Sequence, residues 1–240
     1  SIDEEKLTWL RDFDVKLELS LDGDAETQNS FRRALKKGRD SYGEGIPEKA
    51  EMIQASGLDH EVIMVVHPEA VDRMPANFFH IVGLGYPRVQ INFALGFIWT
   101  PEQKQAFAKG LHQIGAELKT RWAQGHDVTL VNLEGAPMPI RLNGEITVDW
   151  DGTVYGGNAF LHETKHKQNF VIGHLDDLGS FDRYWMDSPS NEYLIDWSYP
   201  PDVTKNNLDV GRIFTSFHRW MHLQTAEQKR APTGAIDRPS

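Results

Sequence analysis

The fold is decided by the stretch VKLELSL at residues 15–21. Its apolar residues alternate strictly with polar ones, which is the pattern of a β-strand with one apolar and one polar face. A second alternation, RVQINFALGF at 88–97, also repeats every two residues. Nearly continuous apolar runs at 60–67 and 127–133 have strand length as well. The sequence therefore predicts four strands.

Helical patterns lie between these predicted strands. The clearest begins at Thr100, an N-cap followed by Pro101 and by the capping-box residue Gln103, and it stops at Gly125. Further helical segments are predicted at 3–12, 47–56, 68–83 with a break or bend at Pro75, and 210–222. Strands that alternate with helices at such distances form parallel βαβ units with right-handed crossovers. The predicted fold class is α/β.

The polar faces of two predicted strands set this sheet apart, because strands buried in a parallel sheet are apolar on both faces. These faces carry Lys16, Glu18 and Ser20 on one strand and Arg88, Gln90 and Asn92 on the other. In a partial barrel, the apolar faces meet the outer helices and the polar faces line a lumen in which a ligand can sit. Residues 1–136 are therefore predicted to form a partial (β/α) barrel with parallel strands.

The pattern changes after the barrel. Residues 146–150 alternate and lead into Asp151-Gly152, a strong hairpin turn, so that 153–160 reads as the returning strand. The same part is rich in Trp and Tyr, which either form a small satellite core or line a groove for a peptide or partner. The predicted regions are an irregular α+β extension at 137–230 and a loose tail at 231–240.

The composition limits the classes of function. A formal net charge of −10 argues against a nucleic-acid partner, since such binding needs clustered Lys and Arg. No apolar stretch approaches the roughly 20 residues that cross a bilayer, and no signal-peptide pattern is present, so we expect no membrane association and a cytoplasmic protein. The 240 residues contain no cysteine. That excludes disulfides, thiolate nucleophiles and thiolate-bound iron–sulfur clusters within them.

Several short motifs follow one another along the chain. They are SLDG at 20–23 followed by Arg32, VVHP at 65–68, WTPE at 99–102, DGTVYGG at 151–157 and VIGHL at 171–175. Their order resembles that of radical S-adenosylmethionine (radical SAM) proteins that carry a SPASM domain. The resemblance implies part of a radical SAM barrel with a SPASM-like tail, in peptide or natural-product modification.

The resemblance also implies a site at the mouth of the barrel. Ser20 and Asp22 are expected to approach S-adenosylmethionine there, and Arg32 is expected to pair with a ligand carboxylate. The alternative for Asp22 is a turn in which its side chain only hydrogen-bonds to the local backbone. The alternative for Arg32 is a solvent-exposed charge on a helix. His67 and Asn92 are candidate catalytic residues by position alone, and a histidine at a strand end is more often structural.

Two histidine pairs have the i, i+4 spacing of metal ligands on one helix face. They are His162 with His166 and His218 with His222. Neither pair contains the glutamate of an H-E-x-x-H motif, and neither has an evident third ligand. No metal site is predicted from them.

The chain departs from the family pattern in ways that bear on function. The family's first two strands and its C-x3-C-x2-C loop have no counterpart before residues 15–21, and Gly156 or Gly157 stands where the tail has its first cysteine. We expect a radical SAM-like portion that needs a cysteine-bearing N-terminal half or partner to supply the iron–sulfur cluster. The alternative is a cofactorless homologue that acts as a peptide-binding or assembly subunit.

Two further expectations concern architecture. The strand at 15–21 would lack a neighbour on one side, so we expect a protein partner or a second copy of the chain to cover that edge. A compact TIM-like hydrolase that uses histidines and a metal would instead need eight strands in a closed barrel. The hairpin signal after residue 137 argues against it.

Overall fold

The computed structural model describes residues 2–32, 40–43, 46–134, 147–155, 171–180 and 199–230. The chain divides into two compact units. One comprises Ser1–Pro137 together with Arg212–Ser240, and the other is Met138–Gly211. The domain boundaries predicted at 136/137 and 230/231 stay predictions.

The first unit is built on a parallel sheet of four strands in the order β1-β2-β3-β4. The strands are β1 Leu17–Ser20, β2 His60–Val66, β3 Arg88–Phe93 and β4 Thr129–Leu130. Each lies inside a stretch that the sequence predicted as a strand. The parallel sheet and its surrounding helices confirm the α/β fold, and they are consistent with a partial barrel. The described residues form four parallel strands, not the eight that a TIM-like hydrolase needs.

All four predicted strands were longer than the observed ones, and the largest differences are at β3 and β4. β3 ends at Phe93 because the chain then turns through Gly96, whose φ of 82° lies in the region that favours glycine. β4 is only two residues long because a 3-10 helix, Val131–Leu133, follows it. The Asn132 amide continues the ladder there, since it accepts from the Ile91 N–H at 2.7 Å and donates to the Ile91 carbonyl at 2.9 Å.

The described helices follow the predicted pattern with three differences. They are α1 Glu4–Asp12, α2 Ala25–Phe31, α3 Ile46–Ala55, α4 Met74–Gly83, α5 Pro101–Ala123 and α6 Pro201–Arg230. The capping box of Thr100 and Gln103 at the start of α5 is confirmed. Residues 68–83 form a 3-10 helix, Pro68–Arg73, and then α4, so Pro75 stands in the first turn of a new helix and does not bend an existing one.

The other two differences concern helix starts. α2 had no predicted counterpart, and its N-cap is Asp24, whose carboxylate accepts from the Thr27 N–H at 2.9 Å. α6 begins at Pro201, nine residues before the predicted start, although the prolines before it suggested a turn. Proline is well tolerated at the first helical position, because its missing N–H has no partner there anyway.

The apolar face of the sheet forms the core of the first unit. Its fully buried residues include Val62, Met64, Val66, Val89 and Ile91. The helices contribute fully buried residues from the same unit, among them Ile53, Phe78, Ile81, Phe107, Leu111, Ile114 and Leu118. The predicted apolar face of β3 is thus core at Val89 and Ile91, whereas Leu17 and Leu19 of β1 are half-buried and Val15 and Phe97, which lie outside the observed strands, are exposed. The opposite face carries polar residues of all three strands: Glu18, Ser20, Glu61, Arg88, Gln90 and Asn92.

A helix pair extends this core within the first unit. Phe107 of α5 contacts Phe214, and His112 of α5 lies edge-on to Trp220, with ring centroids 6.2 and 4.5 Å apart. Gly115 makes the approach possible, because an added Cβ would lie 2.7 Å from Met221 Sδ. The C-terminal part of α6 is therefore packed on α5.

The second unit contains a small antiparallel sheet. Its strands are β5 Thr147–Val148, β6 Thr153–Tyr155 and β7 Val171–His174. The predicted hairpin is confirmed, with Gly152 at a φ of 87° in its turn. The predicted continuation of the returning strand to residue 160 lies outside the described residues. No helix in the described part of the chain is long and apolar enough to span a bilayer.

Candidate functional site

The polar faces of the first three strands lie side by side. The register places Ser20 beside Ile63 and Ile63 beside Gln90, and it places Val65 beside Asn92 in the direction of the strand ends. Since neighbouring strands are about 4.8 Å apart, Ser20 and Gln90 lie roughly 10 Å from each other. Ser20 is exposed, Gln90 and Asn92 are half-buried, and the Gln90 amide donates to Asn92 Oδ1 at 3.0 Å.

The amino-terminal end of this face is occupied by four charged residues, which we call the base network: Lys16, Glu61, Arg88 and Glu134. The Glu61 side chain is 4% exposed, and its Oε2 lies 2.5 Å from Lys16 Nζ and 3.6 Å from Arg88 Nη2. Arg88 also donates both terminal nitrogens to Glu134, at 2.9 and 3.0 Å. The same pair lowers the pKa of Glu134 and raises that of Arg88. Positive and negative charges are matched within the base network.

The opposite, carboxyl edge of the sheet begins at Asp22, directly after β1. Its buried carboxylate accepts from Arg32 Nε at 2.7 Å, from Arg32 Nη2 at 2.9 Å and from the Val65 N–H at 2.9 Å. Its own N–H donates to Gln28 Oε1 at 2.8 Å. Asp22 therefore joins the ends of β1 and β2 to α2, which is more than a local turn requires.

Arg32 is held in one orientation by this pairing. Two of the five N–H groups of its guanidinium are used by Asp22, and no described residue accepts from the other three. The side chain is 32% exposed. The Arg32 guanidinium is therefore not a freely solvated charge, and among the described residues it does not have an acceptor for every N–H group. The arrangement leaves a fixed donor surface at the carboxyl edge, which is what carboxylate recognition requires.

The loop after β1 is supported from α4 and from the 3-10 helix after β2. Asn77 of α4 bonds with Thr27 and accepts from the Asp24 N–H, and Arg73 forms ion pairs with Asp24 and Glu26. Gly23 has a φ of 140°, and a Cβ there would collide with the Asn77 side chain. Burial raises the pKa of Asp24, but hydrogen bonds from Thr27 and Arg73 outweigh it and leave that pKa below its ordinary value. The loop that carries Asp22 is therefore rigidly fixed.

His67 follows β2 at the same edge. Its ring stacks on Phe31 with centroids 4.2 Å apart, and it meets Phe97 edge-on at 4.4 Å. Its Nδ1 accepts from the Glu69 N–H at 3.2 Å, so the proton of the neutral ring belongs on Nε2. Burial lowers the pKa of His67 despite the opposing charge of Glu69. The ring is therefore a clamped, neutral donor at pH 7.

These contacts bring several of the predicted residues together. Asp22 and Arg32 touch each other, Asp22 bonds to the strand position beside Asn92, and His67 stacks on the residue before Arg32. Ser20 is the last residue of β1, and Asp22 follows it two residues later. Their roles toward S-adenosylmethionine or in catalysis stay predictions. Sequence reasoning did not assign Phe31 or Phe97 to the site, because their contacts with His67 join the end of α2 and the loop after β3 to the end of β2.

The sequence predicted no metal site from the two histidine pairs, and that expectation stays a prediction. His218 and His222 lie with ring centroids 4.3 Å apart on α6, and the described residues contain no group of three or more His, Cys, Asp or Glu that could hold a metal ion. His162 and His166 lie outside the described residues. An iron–sulfur cluster needs thiolates, and the 240 residues have none. The residues present therefore do not fit such a cluster.

No family model and no curated protein matches the sequence. Solved structures do match the fold. Native anSMEcpe with bound AdoMet (S-adenosylmethionine) has a TM-score of 0.60 and 16% identity, over 80% of this chain and 55% of that one. Hexahistidine-tagged anSMEcpe with bound AdoMet has a TM-score of 0.67 and 13% identity, over 95% of this chain and 70% of that one. Native anSMEcpe with bound AdoMet and Kp18Cys peptide has a TM-score of 0.60 and 16% identity, over 80% of this chain and 56% of that one.

These similarities concern the fold alone. anSMEcpe is a radical SAM/SPASM-domain anaerobic sulfatase-maturating enzyme, and the structural similarity at 13 to 16% identity supports a radical SAM-like fold for this chain but not the SPASM-like tail. The chain spans about half the length of the first of these structures. The expected radical SAM-like fold is thus confirmed, and the tail stays a prediction.

Proposed function

We propose that this chain is the AdoMet-binding portion of a radical SAM-like protein that acts in peptide or natural-product modification. The observation that carries the proposal is the carboxyl edge of the sheet, where Asp22 fixes Arg32 and no other residue in the described part of the chain accepts from the remaining three guanidinium N–H groups. Support comes from similar solved structures that contain AdoMet, one of them with a peptide. Ligand sites at the carboxyl ends of parallel strands are also the rule in α/β folds.

The donors at this edge suit the amino-acid end of AdoMet. A carboxylate has two oxygens that accept from a guanidinium in a planar arrangement, and such charge-assisted bonds are the strong ones. Ser20 adds an exposed hydroxyl on the same face, two residues before Asp22. Arg32 and Ser20 would thus bind the carboxylate of AdoMet, and Asp22 would orient Arg32.

The remaining parts of the proposal follow from what the 240 residues lack. Reductive cleavage of AdoMet needs an iron–sulfur cluster held by thiolates, so that cluster comes from outside these residues, from a cysteine-bearing half or partner. The edge of β1, where Glu18 and Ser20 are exposed, is the surface that such a partner or a second copy of the chain would cover. We place the protein in the cytoplasm, without a nucleic-acid partner.

One observation favours a second candidate function. The 240 residues contain no cysteine at all, including the part that resembles the tail, where a partner could not easily replace the missing ligands. A cofactorless homologue that binds peptides or assembles with other subunits would have this composition. It would have no reason to bind AdoMet tightly.

Calorimetry with AdoMet distinguishes the two. The chain should bind AdoMet, and Ser20→Ala should weaken binding about tenfold, as expected for the loss of one hydrogen bond to a charged group. The matched control is Ser30→Ala, because Ser30 is also exposed but bonds only to the Glu26 carbonyl of its own helix. Absence of AdoMet binding, or equal affinities of the two variants, would contradict the proposal.

A further inference from the structure

We propose that the outer edge of β1 binds the same edge of a second copy of this chain, as an antiparallel strand pair centred on Leu17. The proposal rests on the part of the proposed function that leaves this edge to a partner, and it names both the partner and the register of the pairing. We call the resulting assembly the β1 dimer. Its two-fold axis passes between the Leu17 residues of the two copies.

The first argument is the direction of the backbone groups of β1. Among the described residues, β1 has a sheet neighbour only at β2, where the Leu17 N–H donates to the Asp59 carbonyl at 2.9 Å. Backbone groups alternate in direction along a strand, so the N–H and C=O groups of Lys16, Glu18 and Ser20 point away from β2. A row of such groups is a template for a further strand.

The second argument is that the charges along this edge complement one another in one register. An axis at Leu17 places Lys16 opposite Glu18 of the second copy, and symmetry repeats the pair with the copies exchanged. Opposite charges directly across an antiparallel pair stabilise it, whereas like charges destabilise it. An axis at Lys16 or at Glu18 would place that residue opposite itself. Of these three centres, Leu17 alone pairs a cation with an anion, and it lets each such pair exchange both backbone hydrogen bonds.

The third argument is the charge environment of Glu18. Glu18 is exposed, and its neighbour across the sheet is Glu61, a second carboxylate. Lys16 Nζ lies 2.5 Å from Glu61 Oε2, and no residue that the structure describes forms an ion pair with Glu18. Glu18 therefore has a like charge beside it in its own sheet. The Lys16 ammonium of a second copy has three donors, and it would supply the missing cation without leaving its own Glu61.

The fourth argument is the exposed apolar surface next to this edge. Trp9 is 57% exposed and Phe13 is 65% exposed, and their rings lie 4.8 Å apart at the end of α1, directly before β1. A two-fold axis perpendicular to the joined sheet places the α1 helices of both copies on one face of it. The same axis places exposed Val15 opposite Leu19 of the second copy. The β1 dimer can thus bury apolar surface that a single copy exposes.

Analytical ultracentrifugation tests the assembly. We expect the chain to dimerise at micromolar concentration, and Glu18→Lys should raise the dissociation constant about tenfold or more, because both attractive cross-strand pairs become repulsive. Circular dichroism checks that the variant is folded. Glu51→Lys is the matched control and should leave the dissociation constant unchanged, since Glu51 is exposed on α3 and undergoes the same change of charge. A monomer at every concentration, or equal dissociation constants for the two variants, would overturn the proposal.

A single introduced cysteine tests the register, because the chain has none of its own. In the β1 dimer, the two Leu17 residues form a pair without backbone hydrogen bonds, whose Cα atoms are about 4.5 Å apart, a distance that a disulfide can bridge. Leu17→Cys should therefore form a covalent dimer when diamide oxidises the two thiols.

Leu19→Cys is the matched control, because Leu19 is half-buried like Leu17 and lies on the same face of β1. In the β1 dimer the two Leu19 residues are about 13 Å apart along the strands, too far for a disulfide, so this variant should stay monomeric under denaturing conditions. Cross-linking of Leu19→Cys, or none of Leu17→Cys, would show that the chain does not pair in this register and would overturn the proposal.

Calorimetry with AdoMet on the same samples separates this proposal from the AdoMet site. A dimer that is cross-linked through Leu17→Cys but does not bind AdoMet would support the β1 dimer and refute the carboxylate site. A monomer that binds AdoMet in a Ser20-dependent way would refute the β1 dimer alone. A monomer that does not bind AdoMet would refute both.

Discussion

The two ends of the polar strand face differ in what their charged residues leave unsatisfied. In the base network, buried Glu61 lies against Lys16 and Arg88, and Arg88 forms a bidentate pair with Glu134. At the carboxyl edge, Asp22 accepts from two of the five N–H groups of Arg32, and no other residue that the structure describes accepts from this guanidinium. Among the described residues, the charges at the amino-terminal end are therefore paired with one another, whereas Arg32 at the carboxyl edge has N–H donors without a described acceptor.

This difference suggests that the charged residues at one end of the polar face stabilise the fold and that those at the other end bind a ligand. Charges that are matched inside the protein hold strands together but offer nothing to a ligand. Donors that are fixed in place yet unused can bind one without reorganisation. The same division is known in α/β barrels, where the amino-terminal face serves stability and the carboxyl face carries the site. We therefore expect substitutions at the two ends to separate folding from AdoMet binding.

The largest effect is expected at Asp22. Asp22→Asn removes a buried charge from its partner Arg32 and should reduce the free energy of unfolding by about 3 kcal/mol, since breaking a buried ion pair leaves the other charge uncompensated. AdoMet affinity should fall as well, because Arg32 loses its orientation. Urea denaturation and calorimetry measure the two effects. Asp12→Asn, at an exposed position on α1, is the control and should change stability by less than about 0.5 kcal/mol. A stable Asp22→Asn variant with unchanged affinity would show that Asp22 neither fixes the edge nor orients Arg32.

A smaller effect is expected in the base network. Glu61→Gln keeps the shape of a buried side chain but removes its charge, so the free energy of unfolding should fall by about 1 to 2 kcal/mol. AdoMet affinity should stay the same within error. The matched control is Glu18→Gln, because Glu18 lies beside Glu61 in the sheet register and is exposed. If Glu61→Gln weakened AdoMet binding as much as Ser20→Ala does, the separation between the two ends would be wrong.

The smallest effect is expected in the pH dependence of stability. Burial lowers the pKa of His67 below its ordinary value of 6.5, so the unfolded chain binds this proton more readily than the folded one. Stability is therefore fully retained above about pH 6.5 and falls as the pH drops through the window below it. His67→Asn should make that slope shallower in urea denaturation series, and His126→Asn, at an exposed position, should not. Identical slopes in both variants would mean that His67 is not held neutral by the fold.

The sequence predicted the sheet well because its signals are local. Alternation at 88–93 reports which face of β3 is buried, and the capping residues at Thr100 report where a helix starts. The predicted end of β3 was wrong because the chain turns at Gly96, and the predicted start of α6 was wrong because the helix begins at Pro201. These positions allow more than one conformation, and only packing selects between them.

The candidate site could be predicted only in part. Ser20, Asp22 and Arg32 were found through the order of short motifs, but the bond between Asp22 and Arg32 spans ten residues and leaves no periodic trace. The contacts of His67 with Phe31 and Phe97 leave no periodic trace either, because they join the end of α2 to segments that follow two neighbouring strands.

A crystal structure of the chain grown with AdoMet is the most direct test of whether the carboxyl edge of the sheet binds this ligand. We expect the AdoMet carboxylate within hydrogen-bonding distance of Arg32 and Ser20, with the Asp22–Arg32 pair retained and the base network unchanged. AdoMet bound elsewhere, or crystals without AdoMet at concentrations that saturate binding in solution, would contradict the claim that the carboxyl edge of this sheet is a ligand site.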